Sequence, residues 1–325
     1  MRKKSFTKGS AVFMAVALTF AAFALPEARA ANAVDTEADC SIGFAVSAEG
    51  FDELNSVSVP VHLYRIAGID VSGNYKAAAG FESLDLTSIA YEEEASAKIW
   101  EERAGEAAKL ITADTPEAAK AVTVNGKAEI TGLETGLYLV MAEEVNSENY
   151  TYSFQPYLIS LPNNYYYSSG DDTWVYDLRT NPVGLKPEEA ERLGDLEITK
   201  HLLNQNVTSG EEATFVFRVD VETLKGETES RLVTLTFDQY GDQKAVLEDL
   251  PAGATVTVTE VYSGASYELV TDASVTTTIT AEEMAAAAFT NTHDGRPNGG
   301  YGVVNNFKLD DNDQYQWTQK DSSTE

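Results

Sequence analysis

The chain has one cysteine, Cys40, and three histidines in 325 residues. A single thiol excludes intrachain disulfides, the usual staples of small exported domains. His62, His201 and His293 stand in no metal-ligand spacing, so neither a metal site nor a histidine-based hydrolytic site is expected. Cys40 follows Glu37-Ala38-Asp39, not the small residues of a lipoprotein anchor, and is expected to be a surface thiol without function. Basic residues are scarce as well: 23 Lys and Arg face 52 Asp and Glu. That balance repels nucleic acid and anionic membrane surfaces. No cofactor is expected.

Long apolar runs are missing, with one exception from Ala11 to Leu25. Arg2, Lys3, Lys4 and Lys8 precede it; Pro26 and Ala28-Arg29-Ala30 follow. The run is shorter than the roughly 20 residues that span a bilayer. A basic start, a short apolar stretch and a small-x-small end are the layout of a secretory signal peptide, residues 1–30. The expected product is secreted or held at the cell surface, with no membrane insertion after cleavage. Removing the five basic residues and one acidic residue of that leader leaves 18 Lys and Arg against 51 Asp and Glu, a formal charge of −33.

What is present argues for folded β-domains. Hydrophobic content of 43%, with 13 Phe and 16 Tyr, is too high for a disordered chain. The length suits two domains. Residues 31–40 read as a flexible leader and 41–180 as a first domain. There "SVSVPVHLYRIAG" alternates, placing Val57, Val59, Val61 and Leu63 on one face. A helical insertion follows, "LTSIAYEEEASAKIWEERAGEAAKLI", with Ile89, Ile99, Trp100, Ala107, Leu110 and Ile111 as its stripe and Glu92 to Glu94 on the wet side. Thr115-Pro116-Glu117 looks like a second helix start. Asn125-Gly126 marks a hairpin. Residues 181–194, charged and with two prolines, read as a linker. From 195 to 294, short strands separated by Gly, Asp and Pro turns give the pattern of an antiparallel sandwich. Residues 295–325 read as a partly disordered tail in which "YGVVNNFKL" adds a strand.

Three strands of the second domain carry the chemistry. Alternate residues of a strand share a face. Leu196, Ile198 and Lys200 share one; so do Val256, Val258 and Glu260, and Ala287, Phe289 and Asn291. Each time a polar residue continues an apolar row. A lone buried lysine or glutamate costs several kcal/mol, so three at successive strand ends imply mutual compensation. Burial disfavours the charged form of an amine and of a carboxylic acid alike. A neutral Lys200 amine is a nucleophile for the Asn291 carboxamide, and Glu260 is placed to polarise that carbonyl and move protons to departing ammonia. Phe215, Phe217 and Phe289 are candidate walls. The outcome is an amide crosslink formed once, without turnover. Asn305 and Asn306 are alternative acceptors.

"LEITKHL", "ATFVFRV", "VTVTEVYSGASYEL" and "AAFTNTH" resemble the isopeptide-bearing pilin and Cna B-type domains of Gram-positive bacteria. In that family a lysine of the first strand, a glutamate of a central strand and an asparagine near the last strand form the bonding triad. The resemblance carries these roles to Lys200, Glu260 and Asn291. "VPVHLYRIAG", "TGLYLV", "YSFQPYLISLP" and "WVYDL" look more loosely like the N-terminal domain of pilin-type surface proteins. The resemblance implies an all-β chain of two tandem Ig-like (Cna B-type) β-sandwich domains, the first with a helical insertion. It implies a structural or adhesive surface subunit, not an enzyme. Partners would be other pilin or surface subunits, or a host glycan or protein.

Departures from the pattern are clear. In the first domain His62 and Arg65 stand where the lysine is expected; Glu143 or Glu144 and Asp177 resemble an acid and an acceptor, but no bond is expected without an amine. No sortase sorting signal follows Asn291 in this sequence. Lys186 in "NPVGLKPE" is a poor match to a pilin linker lysine. Asp310 to Tyr315, "DDNDQY", lacks the Gly and Glu of a calcium loop and reads as a solvated acidic tail. Tyr165, Tyr166 and Tyr167 are a candidate ligand surface. They keep open an alternative, a secreted carbohydrate- or host-protein-binding module. A secreted hydrolase is a weaker alternative, because no carboxylate pair stands out.

Overall fold

A computed structural model describes residues 33–46, 51–87, 96–164, 173–206, 212–264, 266–295, 303–309 and 315–321, the last two stretches by backbone alone. The chain forms two compact units, residues 1–190 and 191–325. Among the described residues both are built of β-strands, and one α-helix packs in the first.

In the first unit the strands are β1 (Cys40–Ala45), β2 (Pro60–Ile69), β3 (Tyr75–Ala77), β4 (Ala119–Val122), β5 (Lys127–Leu133), β6 (Gly136–Ala142) and β7 (Val145–Asn146). They continue as β8 (Tyr150–Phe154), β9 (Tyr157–Leu161), β10 (Asn163–Asn164), β11 (Trp174–Val175), β12 (Asp177–Gly184) and β13 (Pro187–Glu191). The main sheet runs β3-β2-β6-β9, with β4 also on β2; smaller sheets run β12-β1-β5 and β13-β8-β7. Val61, Leu63, Tyr138 and Val140 of the main sheet meet Ile42, Phe44, Ile130 and Tyr152 of the smaller ones in one core. The opposite face of the main sheet is covered by helix α1 (Ser96–Leu110). Trp100, Ala104 and Ala107, spaced for one helical face, bury against Leu137, Leu139 and Leu158. The small alanines let the helix approach the sheet closely.

Several sequence expectations are corrected here. The opening strand is Cys40–Ala45, so His62 and Arg65 lie on the second strand, not the first. Cys40 is not a surface thiol: it is fully buried in the core, and burial pushes its pKa up to about 11. A thiol that resists ionisation in this way is an inert packing group. The leader is not free, because Val34 packs with Ile69 and Trp174 and its N–H bonds to the Val71 carbonyl. Thr115-Pro116 starts no helix; the Thr112 N–H donates to the Thr115 hydroxyl, and the chain passes directly into β4.

Residues 181–194 are strand for most of their length rather than linker. β12 lies beside β1, and β13 lies beside β8. Both are outer strands of their sheets, where a strand tolerates Pro182 and Pro187, the latter also as the first residue of β13. Val183 and Leu185 supply the buried contacts that a linker lacks.

The second unit comprises β14 (Leu193–Leu202), β15 (Ala213–Glu222), β16 (Thr228–Phe237), β17 (Gly241–Pro251), β18 (Thr255–Tyr262), β19 (Tyr267–Leu269), β20 (Ser274–Thr278) and β21 (Met284–His293). Two four-stranded sheets, β17-β14-β21-β19 and β16-β15-β18-β20, enclose a core containing Leu196, Ile198, Phe215, Phe217, Val256, Val258 and Phe289. This is a β-sandwich. The alternation read from the sequence holds, with inward residues buried and their neighbours wetter along β14, β15 and β18. First and last strands lie side by side: β14 pairs parallel with β21, Lys200 opposite Phe289 and Leu202 opposite Asn291. Beyond them, β22 (Val303–Leu309) and β23 (Tyr315–Asp321) form an antiparallel hairpin. Among the described residues no helix is long and apolar enough to cross a membrane.

Candidate functional site

Three strands deliver three polar side chains to the sandwich core. β14 ends its row Leu196, Ile198 with Lys200; β18 ends Val256, Val258 with Glu260; β21 ends Ala287, Phe289 with Asn291. Lys200 and Asn291 are fully buried, and so is the side chain of Glu260.

The three close a ring of hydrogen bonds. The Lys200 Nζ donates to Glu260 Oε2 at 2.5 Å and to Asn291 Oδ1. The Asn291 Nδ2 donates to Glu260 Oε1 at 2.6 Å. One carboxyl group therefore grips both the amine and the amide. Charge-assisted contacts of this length are the strong ones in a low-dielectric interior. Burial pushes the Lys200 pKa down, and the contact with Glu260 opposes it. Backbone pairing fixes the acceptor strand: the Leu203 N–H donates to the Asn291 carbonyl, and Leu269 of β19 pairs with Asn291.

The walls are aromatic. The Lys200 Nζ lies 4.5 Å from the Phe215 ring centroid and 5.6 Å from that of Phe217. Phe217 leans on Phe289 with centroids 5.0 Å apart. All three rings are fully buried. Tyr267 packs edge-on against Phe215 and was not singled out in the sequence; its alternation with Leu269 in "SYEL" was the available signal.

Other sequence candidates lie apart from this ring. His62 sits between Glu117 and Glu143, with Nε2 2.7 Å from the latter. Arg65 holds the Thr135 carbonyl and Glu134. Asp177 is clasped by Arg179 at 2.6 Å, which holds its pKa down at about 2. Lys186 faces Glu101 at 3.4 Å. His201 pairs with Asp242 at 2.7 Å, and His293 contacts the Ser266 carbonyl at 2.9 Å. Among the described residues no group of three His, Cys, Asp or Glu is placed to hold a metal ion. The signal segment 1–30, Glu92 to Glu94, Tyr165 to Tyr167, the acidic stretch 310–314 and the side chains of Asn305 and Asn306 lie outside the described residues.

The His62 cluster yields a pH prediction. Contacts with His62 first, then Lys120, hold the Glu143 pKa below the ordinary carboxylate value. A depressed carboxylate contributes stability that is complete above its unfolded pKa and is lost as pH falls through the folded one. The cluster joins the segment before β4 to the end of β6. Acidifying through the low carboxylate range is therefore expected to speed hydrogen exchange at Ala118, whose N–H bonds to Leu63. In Glu143→Gln that acceleration is expected to shrink.

No curated protein matches this chain. Among solved structures, the minor pilin GBS52 of Streptococcus agalactiae is similar at a TM-score of 0.25 and 15% identity, covering 80% of this chain and 99% of that one. The Bacillus anthracis TIE protein gives 0.33 and 12%, covering 88% of this chain and 42% of that one. The major pilin T3.2 of Streptococcus pyogenes gives 0.24 and 12%, covering 80% and 99%. In sequence, residues 196–294, which contain the whole Lys200–Glu260–Asn291 ring, match a family described as a domain of unknown function, DUF5979.

Proposed function

We propose that the second unit crosslinks itself through an amide bond between Lys200 and Asn291, with Glu260 as the proton carrier, in an exported structural or adhesive surface protein. The observation that carries this reading is the closed ring of contacts among three buried polar side chains. A structural salt bridge needs no carboxamide in contact with both of its members.

The chemistry balances. Lys200 passes a proton to Glu260, and the neutral Nζ attacks Cγ of Asn291. The Nζ–Cγ bond forms and the Cγ–Nδ2 bond breaks. Glu260 lends that proton to the carbonyl oxygen and regains it as the intermediate collapses, and it relays one amine proton to Nδ2, which leaves as ammonia. Glu260 ends protonated, holding the proton that left the lysine ammonium. Fixed geometry supplies the effective concentration, and the dry aromatic walls strengthen the polar contacts that stabilise the tetrahedral intermediate. Catalysis of this kind happens once per molecule.

The same bond suits a load-bearing role. It joins β14 to β21, the strands that open and close the sandwich and lie side by side, so a pull on the two ends of the sandwich is carried covalently. Sequence resemblance to pilin-type domains points the same way, with other surface subunits as the partners.

Intact mass of the purified chain tests the reading. The expected result is a deficit of one ammonia, absent in Glu260→Ala. A full mass in a freshly prepared, folded wild type would falsify the crosslink.

A further inference from the structure

We infer that the face of Phe215 restrains amide formation, by favouring the ammonium form of Lys200 over the neutral amine that reacts. This rests on the crosslinking reading above.

Phe215 presents the nearer aromatic face to the Lys200 Nζ, 4.5 Å from its centroid against 5.6 Å for Phe217. A cation over a ring face is attracted by the ring quadrupole, most strongly where water is absent. The orientation of Phe215 is enforced. Phe237 meets it edge-on at 5.5 Å and 88°, and Tyr267 meets it at 5.5 Å and 61°. Tyr267 is itself anchored, its hydroxyl accepting from the Asn206 N–H at 3.2 Å.

Among the described residues, the titratable group facing the amine is Glu260 of β18; Asn291 of β21 and the rings of β15 are neutral. His201 is the next residue on β14 and is engaged with Asp242. Tyr267 and His293 pack on each other, with Phe215 next to Tyr267.

The proton count fixes the consequence. The ion pair and the reactive tautomer, neutral amine beside protonated acid, hold the same number of protons. The ring stabilises the first and not the second, so it lowers the reactive fraction without changing the pH optimum's acidic side. Loss of the pair's last proton removes the ammonium, so the ring opposes it. Gain of a second proton falls on the carboxylate and leaves the ammonium intact. The alkaline limb of the pH–rate profile thus depends on the ring, and the acid limb does not.

The test uses the full chain recovered unreacted from inclusion bodies in denaturant, its full mass confirmed before refolding, and refolded by dilution over a pH series. Ammonia loss is timed by quenched intact mass, and folding is followed by circular dichroism. In Phe215→Leu the alkaline limb is expected about one pH unit lower, with a plateau rate up to about tenfold higher and the acid limb unmoved. Phe215→Tyr keeps a ring face and is expected to reproduce the wild-type profile. If Phe215→Leu does not fold, Phe215→Met makes the same comparison. Unmoved limbs, limbs that shift together, or uniform slowing as from a packing defect would overturn the inference. A wild type that loses no ammonia overturns the crosslinking reading and this inference together; a crosslinking wild type with an unmoved alkaline limb overturns this one alone.

Discussion

Asn291→Ala is expected to lower the unfolding midpoint of the second unit by about 20 °C or more, as read by calorimetry. The proposed crosslink would close a loop between residues 91 apart in sequence. The chain-entropy model assigns about 4–5 kcal/mol to a loop of that span. For a domain of this size each kcal/mol moves the midpoint by about 4–8 °C. The variant keeps the Lys200–Glu260 ion pair, so the loss is not that of an abandoned buried charge. Glu260→Ala removes the bond by a different route and also leaves the ammonium unpaired, at a further cost of about 3–5 kcal/mol. The two variants should therefore fall in that order. An Asn291→Ala shift under about 5 °C would mean that no covalent tie holds the native unit together.

Gly194→Ala is expected to destabilise the same unit by about 3 kcal/mol, the upper end of overpacking costs. A Cβ at Gly194 would lie 2.1 Å from the Thr280 carbonyl oxygen, 3.0 Å from Ile279 and 3.1 Å from the Glu283 carbonyl oxygen. Two of these are backbone atoms, which no rotamer change relieves. The loop that carries them is pinned to β14 as well: Glu282 donates to the Leu193 carbonyl at 2.7 Å, and Asp195 donates to Glu283 at 2.9 Å. Glu282 already stands at φ 61°, where a side chain is strained. Urea unfolding reads the effect as a lower midpoint with an unchanged slope. An unchanged midpoint would show that β14 does not approach this loop so closely. Crosslink formation is a separate readout: a folded Gly194→Ala chain should still lose ammonia, because residue 194 lies six positions from Lys200 and outside the ring.

Much of the candidate site was legible before any coordinates. Lys200, Glu260 and Asn291 each continue an apolar row at two-residue spacing, and β-strand geometry alone sends such residues into the core. The helix was legible for a similar reason, since Ile99, Trp100, Ala107 and Leu110 follow its period and pack in one cluster. Reading 181–194 as a linker missed the strands within it, although the boundary between the two units falls there, because charge and proline describe an outer strand as well as a loop; Pro182 and Pro187 cost no ladder bond at a sheet edge. Reading Cys40 as a surface thiol failed because its flanking Glu and Asp said nothing about the strand that begins at that residue.

By itself, then, the sequence determined a strongly acidic β-chain without intrachain disulfides, with an amine, an acid and an amide on inward faces. Side-chain alternation is a local property, written residue by residue. Tertiary structure decided which strands become neighbours: β14 beside β21, β15 beside β18, and thus whether those three groups touch. It also decided that the Phe215 face, held by Phe237 and Tyr267, meets the Lys200 amine. Strand partners are chosen by burial and backbone pairing over dozens of residues, and no local pattern encodes that choice.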